Sequence, residues 1–235
     1  SKDGLTMTAY NMPHFIAQSI VNKTKFSVDT FEPLANWGAD PAVLIVPKNS
    51  KYKTVDELMT FAKENPGKVT INGAGLYVGH HIATLQLQKA AGVKMSYIPE
   101  KGGTEAIQNV LSGKVIAGFN NLADVYRSQD RLTILAIADV KRHEYLPDVP
   151  TLKELGYDVD DASVNFRGYA LPKGVDPSIV DKAAKIVPVM FNDPEVVKRM
   201  HDSGSPMLIL DRAQVQEMFQ KKHETLKALL SDLRK

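Results

Sequence analysis

The sequence has no cysteine. That excludes disulfides, thiolate zinc sites, cysteine-held iron–sulfur clusters and a cysteine nucleophile. It leaves the compartment open, because a chain of this size buries enough core to stand without cross-links. An excess of one charge is also missing: 29 Lys and Arg against 27 Asp and Glu leave +2. Such a balance offers no basic footprint, so neither nucleic acid nor an anionic membrane is an expected partner. Long apolar runs are absent. Ala42 to Val46 is typical of the longest, against the roughly 20 residues a bilayer requires. The opening Ser1-Lys2-Asp3-Gly4 does not read as a secretory signal. There is no serine nucleophile elbow, Walker loop or H-E-x-x-H pattern. His80 and His81 are adjacent, so on a helix they diverge by about 100° and cannot share a metal. No catalytic residue, metal or cofactor is therefore expected.

What remains is ordinary globular material. The chain has 235 residues, 43% hydrophobic and 24% charged, enough for one or two domains. Helical and strand patterns alternate, with no internal repeat. Thr54 and Glu57 form a capping box before an apolar face of Val55, Leu58, Met59 and Ala62, and Asn65-Pro66-Gly67 stops that helix. Val69–Ile71 reads as a buried strand. A glycine-rich loop, 73–79, leads into a helix from about His80 to Ala91. Val93–Ile98 is the next strand, and Thr104 is expected to cap the helix after it. Val115–Phe119 and Thr133–Ala138 complete a βαβαβ order, which predicts a mostly parallel sheet flanked by helices. A short helix is expected at Thr151–Leu155, and an extended stretch at Ser163–Leu171. Asp176-Pro177 starts a helix that Pro188 should kink or end. Asp193-Pro194 starts another, and Met207–Leu210 is a strand. Asp211 with Gln214 caps a last helix whose stripe of Val215, Met218, Phe219, Leu226, Leu229, Leu230 and Leu233 packs into a core.

The strand–loop–helix unit at 69–91 carries the most chemistry. Glycines let a backbone approach a ligand closely, and the free N–H groups of a helix start attract an anion. One histidine is expected to donate at that anion site, the plain alternative being one exposed ring and one packed. Lys101-Gly102-Gly103-Thr104 opens a second helix on the same edge, and Asn120-Asn121 ends a neighbouring strand there. The 73–79 loop also reads as a variant dinucleotide fingerprint, with Glu100 where the ribose-binding acid would stand. The alternative function is thus a nicotinamide-dependent oxidoreductase using Gly73–Gly79. A structural βα turn is the plain alternative to both.

A resemblance runs through the chain. Its pieces are Asp3-Gly4-Leu5-Thr6-Met7, Lys53-Thr54-Val55-Asp56-Glu57-Leu58, Asn65-Pro66-Gly67-Lys68, His81-Ile82-Ala83 after the glycine loop, and Lys101-Gly102-Gly103. Leu111 to Val115, Asn121-Leu122, Leu146 to Thr151, Gly168 to Gly174 and Asp193 to Val196 extend it. In this order and spacing the sequence resembles the substrate-binding receptors of tripartite tricarboxylate transporters, the TctC or Bug family.

The resemblance implies a two-domain α/β periplasmic-binding-protein fold of type II, closing like a flytrap on a small organic carboxylate and delivering it to a membrane permease. It implies a periplasmic receptor without cofactor or catalysis, expected to be a monomer. Domain one would comprise 1–48 with 168–235, and domain two 49–167, with hinges near Val46-Pro47 and Gly168-Tyr169. By position the ligand loop maps onto Gly75, Leu76, Tyr77, Val78, Gly79, His80 and His81. Other cleft positions map onto Gly102, Gly103, Asn120 and Asn121. Arg167, on the return crossover, is a candidate countercharge by its charge and place. The family commonly has Asp at Asn120 and a small hydroxyl residue in the glycine loop. Leu76, Tyr77 and Val78 there instead point to a larger or aromatic acid. Family members also begin with a strand and a Pro- and Gly-rich loop ahead of Asp3-Gly4. A first domain without them is expected to expose a sheet edge, bind weakly and be less stable.

Overall fold

The protein is described by a computed structural model over residues 1–231. The chain divides into two compact units: Ser1–Asp40 with the segment from Asn165 onward, and Pro41–Val164.

The first unit holds strands β1 (Thr8–Met12) and β2 (Phe31–Asp40) and helix α1 (His14–Val21) from the first segment. The second unit contains β3 (Ala42–Pro47), α2 (Val55–Glu64), β4 (Thr70–Ala74), α3 (Gly79–Ala91), β5 (Ser96–Glu100), α4 (Gly103–Leu111), β6 (Ala117–Asn121), α5 (Leu122–Tyr126) and β7 (Leu132–Ala138). The chain then returns to the first unit through β8 (Asn165–Pro172), followed by α6 (Pro177–Phe191), α7 (Pro194–Asp202), β9 (Met207–Leu210) and α8 (Arg212–Leu230).

The second unit is built on a sheet of order β5-β4-β6-β3-β7. β4 pairs parallel with both β5 and β6, as the βαβ pattern predicts. β3 pairs antiparallel with β6 and β7. All five residues of the Ala42–Val46 run are buried. Strand alternation sends Ala42, Leu44 and Val46 to the face covered by Leu58, Met59 and Leu87. It sends Val43 and Ile45 to the face covered by Ile107, Val110 and Leu122. A central strand buried on both faces has no polar side to show.

The first unit's sheet has the order β1-β8-β2-β9 with every pairing antiparallel. The expectation of mostly parallel sheets is corrected here. β2 carries the chain out to the second unit and β8 brings it back alongside, Asp40 opposite Asn165, so the two must run in opposite directions. In the second sheet β3 is the one reversed strand. Leu34 and Leu171 bury α6 through Val180 and Val187. Phe219 of α8 meets Tyr10 and Phe15 edge-on or tilted, 5.1 and 5.2 Å between ring centroids. Val215, Phe219, Leu226 and Leu230 of the predicted stripe are buried; Leu233 lies outside the described residues.

Three local expectations are corrected. Gly102, not Thr104, is the N-cap of α4, and no side chain caps it. Pro188 lies inside α6, which continues to Phe191. The ring of Phe191 stacks on Trp37 at 5.4 Å, so tertiary packing holds the last turn. Thr151–Leu155 is a turn rather than a helix. Thr151 and Glu154 exchange the two bonds of a capping box, 2.7 and 3.0 Å, but Gly156 at φ +89° leads the chain away.

Candidate functional site

At the carboxyl ends of β4, β5 and β6 three loops are tied together inside the second unit. The N–H of Gly75 donates to the carbonyl of Glu100 at 2.9 Å, joining the first glycine loop to the end of β5. Asn120 Nδ2 donates to the carbonyl of Gly103 at 2.8 Å, joining β6 to α4. Its Oδ1 accepts from the N–H of Asn121. His80 meets Asn121 at 3.0 Å, joining α3 to β6. Glycine loop, second loop and asparagine pair therefore form one edge, as the order of strands implied.

Both histidines are buried, 5% and 9% exposed, which removes the plain alternative of one exposed ring. Neighbouring N–H groups fix their protonation. The N–H of Ala74 donates to His80 Nδ1 at 3.0 Å, so the ring proton sits on Nε2 and is donated to Asn121 Oδ1. The N–H of Tyr77 donates to His81 Nδ1 at 3.1 Å, and the proton again sits on Nε2. His81 lies between Tyr97, stacked at 4.4 Å, and Tyr77, tilted at 5.3 Å. Burial pulls its pKa down to about 4, so the ring is neutral near pH 7. Tyr97 donates from its hydroxyl to the Gly75 carbonyl at 2.9 Å. Burial, with Glu100 second, raises that phenol above its usual value.

The loop backbone is tightly specified. Gly75 has φ +68° and Tyr77 φ +57°, the latter a left-handed non-glycine. At Gly73 a Cβ would meet His80 Cβ at 2.4 Å and Tyr97 Oη at 2.8 Å. After this loop α3 begins at Gly79 with no side chain capping it. Its first N–H groups lack intrahelical acceptors. The start of α4 is uncapped by its Gly102 in the same way, although Glu105 reaches back to the N–H of Lys101. Two uncapped helix starts at one sheet edge favour a small anion.

Sequence reasoning missed the bracing behind the site. Asn72, fully buried, donates to Glu100 Oε1 at 3.1 Å and to the carbonyl of Ala106 at 3.0 Å. Asn109 adds a second bond to the same carboxylate oxygen, at 2.8 Å. A polar residue inside an apolar strand, directly before the glycines, was the available signal. This network also removes the supports of the dinucleotide reading. Glu100 is occupied by two asparagines, and Gly73 is small to admit His80 and Tyr97.

Arg167 belongs to the first unit. Its Nη2 contacts buried Asp40 at 2.9 Å, and the guanidinium lies over the Trp37 ring at 5.9 Å from the centroid. Asn165, in the amide orientation that satisfies its neighbours, accepts from Nε and Nη2 at 3.2 and 3.0 Å. The charge is met where it stands. Among the described residues no group of three His, Asp or Glu could hold a metal ion. No helix among them is long and apolar enough to cross a membrane.

The architecture is that of periplasmic binding proteins. Superposed on the periplasmic binding protein BugD, the chain gives a TM-score of 0.84 at 24% identity, covering 99% of this chain and 79% of that one. An R. palustris protein solved with adipate gives 0.85 at 19%, covering 98% and 78%. MatC from Rhodopseudomonas palustris, with bound malate, gives 0.80 at 20%, covering 98% and 80%.

Residues 1–234 match the tripartite tricarboxylate transporter family receptor, TctC. The chain belongs to that family. It is 35% identical over 184 residues to a UPF0065 protein of Cupriavidus necator, covering 77% of this chain and 55% of that protein. To BugT of Bordetella pertussis it is 31% identical over 183 residues, covering 76% and 56%. The chain thus spans about half the length of the curated relatives it matches.

Proposed function

We propose that this chain is the ligand-capturing part of a periplasmic receptor that takes up a small organic carboxylate for a membrane permease of the tripartite type. Family membership supports the receptor role and the permease partner. The observation that carries the ligand class is the pair of uncapped helix starts, α3 and α4, held at one edge by the Asn120–Gly103 and His80–Asn121 bonds. Backbone N–H groups there bind a carboxylate through charge-assisted hydrogen bonds without a side-chain cation. Gly75, Leu76, Tyr77, Val78, Gly79, Gly102, Gly103 and Asn121 line the ligand, and Asn120, His80 and His81 hold the lining in shape. Arg167 braces β2 against β8 through Asp40. The reading needs no cofactor and no bond-making step.

Leu76 is half exposed at the loop tip, 47%. An apolar wall beside an anion cradle selects an acid with an apolar body, so a longer or aromatic acid is expected to bind more tightly than a short diacid. Thermal unfolding with malate, adipate, an aromatic acid and NADH tests both statements. A ligand of the folded state alone raises the melting temperature by mass action. The expected result is a shift with carboxylates, larger for the bulkier acids, and none with NADH. A shift with NADH alone, or with no carboxylate, would overturn the reading. Malate as the strongest ligand would overturn the size preference.

A further inference from the structure

We propose that His81, seconded by His80, is a positioning residue of the ligand loop: its unprotonated Nδ1 holds the loop backbone as an acceptor, so that ligand capture fails when the ring gains a proton. The proposal rests on the carboxylate reading of this loop for its ligand arm and on the hydrogen bonds alone for its structural arm.

The geometry is the same twice. Each adjacent histidine turns its Nδ1 to a backbone N–H of the loop, His80 to Ala74 at 3.0 Å and His81 to Tyr77 at 3.1 Å. Between those two anchored amides lie Gly75 and Leu76, and Tyr77 itself is held at φ +57°. A left-handed tyrosine is costly by itself. The bond to His81 and the ring contact with it are what fix Tyr77 there. A proton on Nδ1 would turn the acceptor into a donor facing a donor, and the amide of Tyr77 would lose its partner.

The sign of the effect is unusual. A histidine at an anion site ordinarily strengthens binding as it becomes cationic. Here protonation removes the shape that binds, so acid weakens capture. Among the described residues no charged group shifts the His81 ring; burial alone does. Tyr77 from the loop and Tyr97 from β5 flank His81, and Asn121 from β6 meets His80. Glu100 at the end of β5 accepts from Asn72 and Asn109. Asp124 on α5 pairs with Arg127. In the segment packed on α3, Asp160 accepts from Gln86 at 2.6 Å, and Asp161 is its neighbour.

Burial alone keeps the folded His81 ring neutral down to about pH 4, against an ordinary value of 6.5. Between these values the unfolded chain binds more protons than the folded one. The stability this ring contributes is therefore complete above pH 6.5 and is lost as pH falls toward about 4.

Two variants separate positioning from bulk packing. His81→Asn places an amide oxygen near the Nδ1 position and cannot titrate; His81→Leu fills the space without an acceptor. Amide exchange at Tyr77, measured on the ligand-free protein, reads the loop directly. Adipate affinity by calorimetry reads capture. Near neutral pH, His81→Asn is expected to keep Tyr77 protection and adipate affinity close to wild type, and His81→Leu to lose about tenfold in each. From neutral pH down to about 4, wild type is expected to lose affinity more steeply than His81→Asn, which serves as the reference for titration of adipate itself. Wild-type protection of Tyr77 in His81→Leu would overturn the proposal. So would a wild-type acid profile that matches His81→Asn or strengthens. If adipate binds none of the three proteins, adipate fails as the ligand, and the exchange arm still decides whether His81 positions the loop.

Discussion

Gly73 and Gly75 stand two residues apart in one loop and are glycine for different reasons. Gly75 needs its left-handed φ of +68°, and only Val78 Cγ1 at 3.6 Å would touch an added Cβ. Gly73 has no such φ, but its Cβ would collide with His80 and Tyr97. Gly73→Ala should therefore cost about 1–3 kcal/mol through overpacking, and Gly75→Ala about 1–2 kcal/mol through backbone strain. Urea unfolding of the two variants measures both. Only Gly73→Ala should also release the Tyr97 hydroxyl from the Gly75 carbonyl. In the sequence both glycines read as room for a ligand. The pattern could show that the backbone came close to something; it could not show that at Gly73 the something was the protein's own histidine and tyrosine. Arg167 has a partner that no local pattern shows. Its charge is visible in the sequence, but Asp40, which answers it, is 127 positions away.

At the scale of elements, what was legible was local. The capping boxes at Thr54–Glu57 and Asp211–Gln214 are both present, as are the Asp-Pro starts of α6 and α7. Each depends on residues within one turn. Thr54 Oγ1 accepts from the N–H of Glu57 at 3.2 Å, and Glu57 accepts from the N–H groups of Thr54 and Lys53. Thr54→Ala should lower stability by about 1 kcal/mol, read as a lower urea midpoint with an unchanged slope. The elements that went otherwise answer to distant partners. α6 passes through Pro188 because Phe191 stacks on Trp37 across the unit. β3 runs against β6 and β7 through long-range pairing. No periodicity within either segment carries that information.

For the whole molecule the decisive fact is the order of the chain. The second unit is one uninterrupted stretch, 41–164, between two passages of the backbone. Both faces of its sheet are covered by its own helices, and every bond described for the ligand loop closes within it. We expect residues 41–164 expressed alone to unfold cooperatively and to keep the Tyr77 amide protected. A non-cooperative melt, or a loop that exchanges freely in this piece, would show that the loop depends on the first unit. The antiparallel sheet of the first unit follows from the same order, since β2 and β8 are the outward and return strands.

Trp37 is the sole tryptophan of the chain, and it sits in β2 in contact with the ring of Phe191 and the guanidinium of Arg167. The protein thus has a single indole emitter, placed on the half that lacks the glycine loop. Its fluorescence follows the surroundings of β2 and the end of α6. A titration watched through that emission registers ligand only to the extent that the first unit responds, and a flat trace is compatible with a filled loop. Tyrosine signals are the complementary channel, because Tyr77 and Tyr97 flank the imidazole that shapes the site.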